Sequence, residues 1–175
     1  PTLATKEGYF MPIPGIPQPS ILTVSPILRL RAYDGYDTFA LSWYQDEETL
    51  WLIDGARTPY TLEKVHVMYR YLQARGELYI IEGKDTPLSD FRPIGDVTFW
   101  QDDLPIVIGE KSWRQKGIGK QVLCTLIERA RTLSFPYLKV AEIYDYNLAS
   151  QKLFQSVGFQ VCGKTEKGHS YQLTL

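Results

Sequence analysis

Apolar residues along this chain form short runs and longer stretches with helical spacing, and the two patterns alternate. Short runs at 78–81, 94–100 and 106–108 predict buried strands. Apolar positions three or four residues apart predict a helix from Leu62 to about Arg75, which Gly76 ends. From residue 27 onward the predicted order is β-α-α-β-β-β-α-β-α-β-β. Because hairpins and helical crossovers both occur, we expect an α+β fold with α/β-type layers: a mixed, mostly antiparallel central sheet flanked by helices on both faces.

An earlier helical pattern follows the first core strand, which is predicted over 27–33. Asp37 or Thr38 is expected to cap this helix, and its apolar positions continue to about Ile53. Trp43 and Trp51 are its largest members, and we interpret both as core residues.

The first 26 residues have a different pattern, because proline interrupts it repeatedly. Proline lacks a backbone N–H and excludes a regular helix here. We expect an extended arm with a short hairpin or edge strand around Ile21–Val24, packed on the domain or on a partner subunit. The predicted organisation is therefore a Pro-rich arm over 1–26 and one domain over 27–175.

Composition sets limits on the class of protein. The chain has 175 residues, enough for one domain with its own core. A net charge of −1 gives no general attraction to nucleic acid or to an anionic membrane. No apolar run approaches the ~20 residues that span a bilayer, and no signal peptide is recognisable. Cys124 and Cys162 are interpreted as small buried hydrophobes that form no disulfide framework, so we expect a cytoplasmic protein.

The stretch from Leu104 to Glu128 combines a strand, a loop with glycines and the start of an amphipathic helix. This order directs backbone N–H groups and the positive end of a helix dipole at one spot, which suits a phosphate or pyrophosphate. A Walker loop is excluded because no Gly-Lys-Ser/Thr follows. A dinucleotide fingerprint is excluded because Val122 stands where its third glycine would be.

Two motifs in this order resemble one family. Arg114-x-x-Gly117-x-Gly119 after the strand resembles the acetyl-CoA loop of the GNAT N-acetyltransferase superfamily. The segment from Asn147 to Phe159, with its Gly158-Phe159 pair, is similar to the late motif of that family. The resemblance covers all but the first 26 residues. The run 108–113 resembles the branch of ribosomal-protein N-terminal, polyamine and aminoglycoside acetyltransferases.

The resemblance implies a binding site for acetyl-CoA. The backbone of Val107, Ile108 and Gly109 would pair with the pantetheine arm, since free strand groups demand a partner. The N–H groups of the loop would hold the pyrophosphate, and its glycines would permit close approach. The residues of that loop are Gln115, Lys116, Gly117, Ile118, Gly119 and Lys120. Arg114 and Lys116 would add charge near the phosphates. Asn147 would bind pantetheine, Ser150 and Lys152 would reach the far end of the cofactor, and Phe154 would lie against it.

The implied reaction transfers an acetyl group from acetyl-CoA to a primary amine of a small molecule or a protein N-terminus. A backbone N–H near Ile108 would stabilise the oxyanion. Asp103 is the first candidate for the base that removes the ammonium proton. The other candidates are Glu82, Glu142 and Tyr144.

The chain departs from the family at Phe154, where many members have a tyrosine that protonates the leaving thiolate. Phenylalanine cannot donate a proton. Tyr144, Tyr146 or water would replace it, or the thiolate would leave unassisted. The departure also leaves a non-catalytic acyl-CoA-binding module as an alternative.

The acceptor is expected to meet the two helices after the first core strand. Aromatic residues there lie near Asp46, Glu47, Glu48 and Asp54, a combination that suits a cationic amine. For the Asp46–Glu48 run, a solvated helix face is the favoured interpretation. His66 and His169 have no metal-ligand spacing, so no metal is expected. We expect no nucleic-acid or membrane partner, and either a monomer or a homodimer.

Overall fold

The computed structural model describes residues 5–6 and 9–175, so the other residues of the expected arm lie outside the described part. Two short strands, β1 (Thr5–Lys6) and β2 (Tyr9–Phe10), pair with each other in an antiparallel ribbon. The remaining elements follow the predicted order from residue 27 onward.

The larger sheet has five strands in the order β3-β4-β5-β6-β7, and all of its pairs are antiparallel. Its strands are β3 (Ile21–Ser25), β4 (Leu28–Ala32), β5 (Glu77–Gly83), β6 (Arg92–Phe99) and β7 (Ile106–Ile108). The edge strand expected near Ile21–Val24 is confirmed as β3. It lies within the segment interpreted as an arm and belongs to the sheet, because it forms a hairpin with β4.

The smaller sheet has three antiparallel strands in the order β8-β10-β9. Its strands are β8 (Tyr137–Tyr144), β9 (Gln160–Lys164) and β10 (Gly168–Thr174). The hairpin of β9 and β10 presents Lys167 near β8, because the N–H of Lys167 donates to Glu142 Oε2 at 3.1 Å.

In the part of the chain that the structure describes, four α-helices connect the strands. They are α1 (Glu47–Asp54), α2 (Leu62–Arg75), α3 (Ile118–Thr132) and α4 (Leu148–Ser156). The bounds predicted for the helix at Leu62 are confirmed. Thr61 caps α2 by accepting from the Lys64 N–H at 3.1 Å, and at the other end a Cβ on Gly76 would come within 2.6 Å of the Phe99 carbonyl oxygen.

The single helix predicted from Asp37 to Ile53 is wrong. The segment forms two 3₁₀ turns, Thr38–Ala40 and Trp43–Gln45, followed by the separate helix α1. Asp46 is the reason for the break, because it has extended backbone angles and its Oδ2 accepts from the Thr49 N–H at 3.0 Å. This cap starts a new helix where the apolar spacing alone predicted a continuous one.

Two apolar clusters cover the two faces of the sheets, which confirms helices on both sides. The first cluster holds α3 and Phe154 of α4 against residues such as Tyr79 and Val97. The second holds 3₁₀ residues and α2 against Leu78 and Ile80 of β5. β5 therefore contributes alternate side chains to both clusters, as the period of a strand requires.

Three burial expectations have different outcomes. Trp43 is buried, as expected for a core residue. Trp51 is partly exposed and stacks on Tyr146 with ring centroids 4.8 Å apart, so its core assignment is wrong. Cys124 and Cys162 are exposed free thiols rather than buried hydrophobes, because each lies on the outward side of its element.

The two sheets face each other along β7 and β8, and hydrogen bonds join them at one end only. At one end the Lys139 N–H donates to the Gln101 carbonyl at 2.9 Å, and the Ala141 N–H donates to Asp103 Oδ1 at 3.0 Å. Beyond these contacts β7 and β8 form no ladder in the described part of the chain. The strands therefore diverge from Asp103 onward and leave a gap between the sheets.

Candidate active site

The hydrogen bonds between β6 and β7 show which backbone groups of β7 are used in the sheet and which face the gap. Thr98 donates to the Pro105 carbonyl at 3.0 Å, and Gly109 donates to the Ile94 carbonyl at 2.9 Å. Because antiparallel pairs alternate, Val107 also directs its backbone groups at β6, whereas Ile108 directs its own at the gap. Three residues were expected to pair with pantetheine, and of these only Ile108 directs its backbone groups at the gap. The N–H of Gly109 donates to Ile94 instead.

The carbonyl of Ile108 already has a partner. Arg114 Nε donates to it at 2.8 Å, and Arg114 Nη2 donates to Thr49 Oγ1 at 2.9 Å. Arg114 therefore ties β7 to α1, a different contact from the phosphate contact expected from the sequence. The N–H of Ile108 has no acceptor among the described residues, so it can bind an incoming oxygen.

The loop before α3 forms a cluster of backbone donors. Gln115 has a φ of 58° and Gly117 a φ of 74°, both in the left-handed region. Gly117 precedes α3 and supplies no side-chain cap. No acceptor in the described ranges contacts the N–H groups of 115–120. Such donors at a helix start, with a strained non-glycine residue beside them, form a site for an anion.

The two glycines of the loop have different roles. Around Gly117 nothing lies within 4 Å of the position that a Cβ would take, so its approach side is open. A Cβ on Gly119 would instead meet Leu153 Cδ2 at 3.0 Å. Gly119 therefore permits close packing of α3 on α4, and only Gly117 has the open surface that an approaching phosphate requires.

The late motif residues hold the start of α4. Asn147 Oδ1 accepts from the Ser150 N–H at 3.1 Å, and Asn147 Nδ2 donates to the Leu52 carbonyl at 3.3 Å. Asn147 and Ser150 also line the gap. Lys152, like Lys116 and Lys120, is exposed. A contact of these side chains with the cofactor remains a prediction.

A cavity of about 420 Å³ lies between the α1–α2 layer and the diverging strands. All the charged residues that line it are acidic: Asp54, Asp96, Asp103 and Glu142. None of the four forms an ion pair with any described residue. Because uncompensated carboxylates in a cavity repel one another, the cavity favours a cationic ligand.

Asp96 is the most buried of these four carboxylates, and the sequence analysis missed it. It is 2% exposed, and its Oδ2 accepts from the Tyr44 hydroxyl at 2.6 Å and the Tyr69 hydroxyl at 2.8 Å. Burial raises the pKa of Asp96 to about 6, against the opposing effect of the two hydroxyls. Asp96 is the register partner of Val107, so it lies directly beside β7. No sequence motif marks it, since a single aspartate in a strand pattern has no distinctive spacing.

Asp103, the base expected from the sequence, also lines the cavity. Its Oδ1 accepts from the N–H groups of Leu104 at 3.1 Å and Ala141 at 3.0 Å. Burial raises the pKa of Asp103, and these two backbone bonds oppose the rise. Asp103 therefore joins the ends of the two sheets and keeps its second oxygen for other contacts.

The remaining candidates for the general base and the general acid differ in whether they line the cavity. Glu82 is outside the cavity lining, and Arg29 and Arg31 hold it at 2.9 Å and 3.1 Å. Tyr146 donates to the Trp51 carbonyl at 2.6 Å and is exposed. Tyr144 lines the cavity, and its hydroxyl has no partner in the described structure.

Two further side chains bear on proton transfer. Burial raises the pKa of Tyr144, so its hydroxyl stays protonated at neutral pH. Phe154 is buried and packs edge-on against Phe159 with centroids 5.2 Å apart, and it has no donor group. A role of Tyr144 as the proton donor stays a prediction.

Fold and site together define a class: an α+β protein whose two sheets diverge beside an acidic cavity and whose loop before α3 presents free backbone donors. The chain belongs to a family of this class, because the model of the acetyltransferase (GNAT) domain matches residues 27–160. That family is the one that the two sequence motifs predicted.

Solved structures agree on the fold. A domain from Methanocaldococcus jannaschii superposes with a TM-score of 0.71 at 20% identity, covering 85% of this chain and 98% of that one. A Salmonella typhimurium acetyl transferase that modifies the N-terminal serine of ribosomal protein L7/L12 gives 0.67 at 20% identity, covering 89% and 99%. Aminoglycoside acetyltransferase AAC(6')-Ib in complex with coenzyme A gives 0.65 at 18% identity, covering 84% and 94%.

Among curated proteins, no sequence relative matches. Within the described residues, no group of three or more His, Cys, Asp or Glu side chains is placed to hold a metal ion. No helix in the described part of the chain has the length and apolarity needed to cross a membrane.

Proposed function

We propose that this protein transfers the acetyl group of acetyl-CoA to a primary amine that enters the acidic cavity. The observation that carries this proposal is the cavity itself: its charged lining is entirely carboxylate, and it adjoins the free edge of β7. An amine is cationic at neutral pH and is the nucleophile that acetyl transfer requires. The acceptor site and the acyl-donor site would thus meet at Ile108.

The donor would bind through two backbone features. The unpartnered N–H groups of 115–120 suit its pyrophosphate, and the outward N–H of Ile108 suits an oxygen of its thioester end. Gly117 leaves the approach side of this loop open. Structural relatives that are described in complex with coenzyme A support this choice of donor.

The chemistry would proceed by direct attack. A carboxylate of the cavity, Asp96 or Asp103, takes a proton from the ammonium group, and the free amine attacks the thioester carbonyl. The N–H of Ile108 stabilises the oxyanion that forms. The attacking nitrogen then loses its second proton to water, the carbon–sulfur bond breaks, and the thiolate takes a proton from Tyr144, which recovers one from the hydronium so formed. The products are the N-acetyl amine and free coenzyme A.

Thiol release from acetyl-CoA with a panel of amines tests this function. The panel contains spermidine, putrescine, pentylamine, kanamycin and a peptide with a free N-terminus. We expect turnover with at least one amine and none without an amine. Binding of acetyl-CoA without thiol release on any amine would contradict the proposal and favour a non-catalytic binding module.

A loop variant tests the donor site with a matched control. Gly117→Asp places a carboxylate and a side chain strained at a φ of 74° in the anion site, so acetyl-CoA affinity should fall at least tenfold. Gly15→Asp introduces similar strain at a φ of 79°, also with open space around it, at a loop outside the cavity lining. Calorimetric affinity should be unchanged in that control. Equal loss in both variants would show that the loop is misassigned.

A further inference from the structure

We infer that the acceptor is a small molecule with at least two ammonium groups, one held at the cavity floor and one at its mouth. This inference rests on the proposed function and specifies its substrate class. It follows from how the four carboxylates of the cavity differ in depth and in partners.

The floor position is built around Asp96. Its Oδ2 accepts hydrogen bonds from the hydroxyls of Tyr44 and Tyr69, whereas its Oδ1 has no donor among the described residues. A carboxylate that is 2% exposed lacks the hydration that stabilises its charge, so a cation beside it is strongly favoured. Asp103 is half-buried and lines the same cavity beside β8. An ammonium group here would lie next to β7, where acetyl transfer is proposed.

The mouth position is formed by Asp54 of α1 and Glu142 of β8, which are both exposed. Asp54 Oδ2 accepts from the Tyr60 hydroxyl at 2.9 Å, and Glu142 Oε2 accepts from the Lys167 N–H at 3.1 Å. These bonds orient the two carboxylates and leave oxygens on each for a ligand.

A stacked pair of tyrosines lies between floor and mouth. The Tyr44 and Tyr60 rings are 5.5 Å apart at 22°, and each hydroxyl serves a different carboxylate, Asp96 or Asp54. Both tyrosines line the cavity between the two pairs of carboxylates, and Lys64 Nζ, which is outside the lining, lies 4.0 Å from the centre of the Tyr60 ring. An alkyl chain with an ammonium group at each end matches this alternation of carboxylate, aromatic ring and carboxylate.

Nearby cations do not neutralise the cavity. Arg57 lies over the Trp51 ring at 5.0 Å, and Lys167 Nζ is 5.9 Å from the centre of the Tyr144 ring. Neither belongs to the lining, and neither forms an ion pair with Asp54 or Glu142 in the described structure. A peptide N-terminus brings one ammonium group and several carbonyls, so it would leave the mouth carboxylates unbalanced.

The test compares two amines of matched length, putrescine and pentylamine, which differ in one terminal ammonium group. The variant Asp54→Asn/Glu142→Gln removes both mouth charges and keeps the acceptor atoms for Tyr60 and Lys167. We expect kcat/KM for putrescine to fall about tenfold and that for pentylamine to stay within about twofold.

The control Glu63→Gln/Asp90→Asn removes the same net charge from exposed positions outside the cavity lining. In this control, kcat/KM should stay unchanged for both putrescine and pentylamine.

The outcomes separate the two proposals. A wild-type preference for putrescine that disappears only in the mouth variant supports the inference, as does turnover of diamines without any turnover of pentylamine. Equal losses for both amines, no loss for either, or turnover of the peptide alone would overturn it and leave the proposed function standing. Cofactor binding without turnover of any amine would instead contradict the proposed function.

Discussion

The hydroxyl of Tyr44 donates to Asp96 Oδ2 at 2.6 Å, and both residues line the acidic cavity. Tyr44 belongs to a 3₁₀ turn before α1, and Asp96 lies in the middle of β6. The bond holds a buried carboxylate beside the strand edge where acetyl transfer is proposed. Burial raises the pKa of Asp96 and this bond opposes the rise, so the contact favours the ionised carboxylate.

The first prediction concerns the pH dependence of activity. Burial raises the pKa of Asp96 to about 6, and a base must be unprotonated to accept a proton. We expect kcat/KM to fall as the pH decreases through about 6, and Asp96→Asn to lower kcat/KM at neutral pH about 100-fold. The measurement is a pH–rate profile with a saturating donor.

Asp103→Asn is the matched variant for that profile. If Asp96 is the base, Asp103→Asn retains the acidic limb near pH 6. Loss of the limb in Asp103→Asn, with an unchanged limb in Asp96→Asn, would assign the base to Asp103 as the sequence predicted.

The second prediction concerns stability. The pKa of Asp96 is raised from 3.8 to about 6 on folding, so the folded chain binds this proton more tightly than the unfolded chain. Its stabilising contribution is complete below pH 3.8 and is lost as the pH rises through about 6. Relative to Asp96→Asn, the wild type should therefore lose about 3 kcal/mol of unfolding free energy across this window.

Denaturant titrations of both proteins at several pH values check this sign. The amide of the variant still accepts from Tyr44 and Tyr69, so packing is retained. If the variant instead gains in unfolding free energy relative to the wild type as the pH decreases, the burial argument is contradicted.

The third prediction concerns thiolate departure. Tyr144 has a free hydroxyl in the cavity and a raised pKa. Tyr144→Phe should lower kcat about tenfold, at the weak end of acid catalysis, since a thiol of pKa roughly 8.5 leaves tolerably well without help. Tyr146→Phe is the control, because its hydroxyl is bonded to the Trp51 carbonyl. A larger loss of kcat in the Tyr146 variant would refute the assignment.

The fourth prediction concerns Gly119. From the motif alone, a large residue there would be expected to block the cofactor and leave the fold intact. In the structure a Cβ at this position meets Leu153 Cδ2 at 3.0 Å, so Gly119→Val should cost about 1–3 kcal/mol of stability through the α3–α4 contact.

A compensating change checks the cause of that loss. Leu153→Ala in the Gly119→Val background makes room for the added side chain and should recover part of the lost Tm. If Leu153→Ala lowers the Tm of the variant as much as that of the wild type, the two positions are not coupled through packing.

Local patterns predicted much of the fold. The element order and the bounds of α2 follow from apolar spacing, helix caps and turn residues, which act over a few neighbouring positions. The same patterns failed between Asp37 and Ile53, because the Asp46 cap competes with apolar spacing. They also failed for Trp51, whose partner Tyr146 is distant in sequence.

By itself, the sequence determined the fold class, the family and the loop that is proposed to bind the donor, because each depends on residues close together in the chain. Only the tertiary structure decided that Gly119 faces Leu153, that Arg114 binds the Ile108 carbonyl and that Asp96 lies beside Tyr44. The acidic cavity likewise joins carboxylates from α1, β6 and β8 with Asp103 before β7. Burial and charge depend on such distant neighbours, so no local pattern could reveal them.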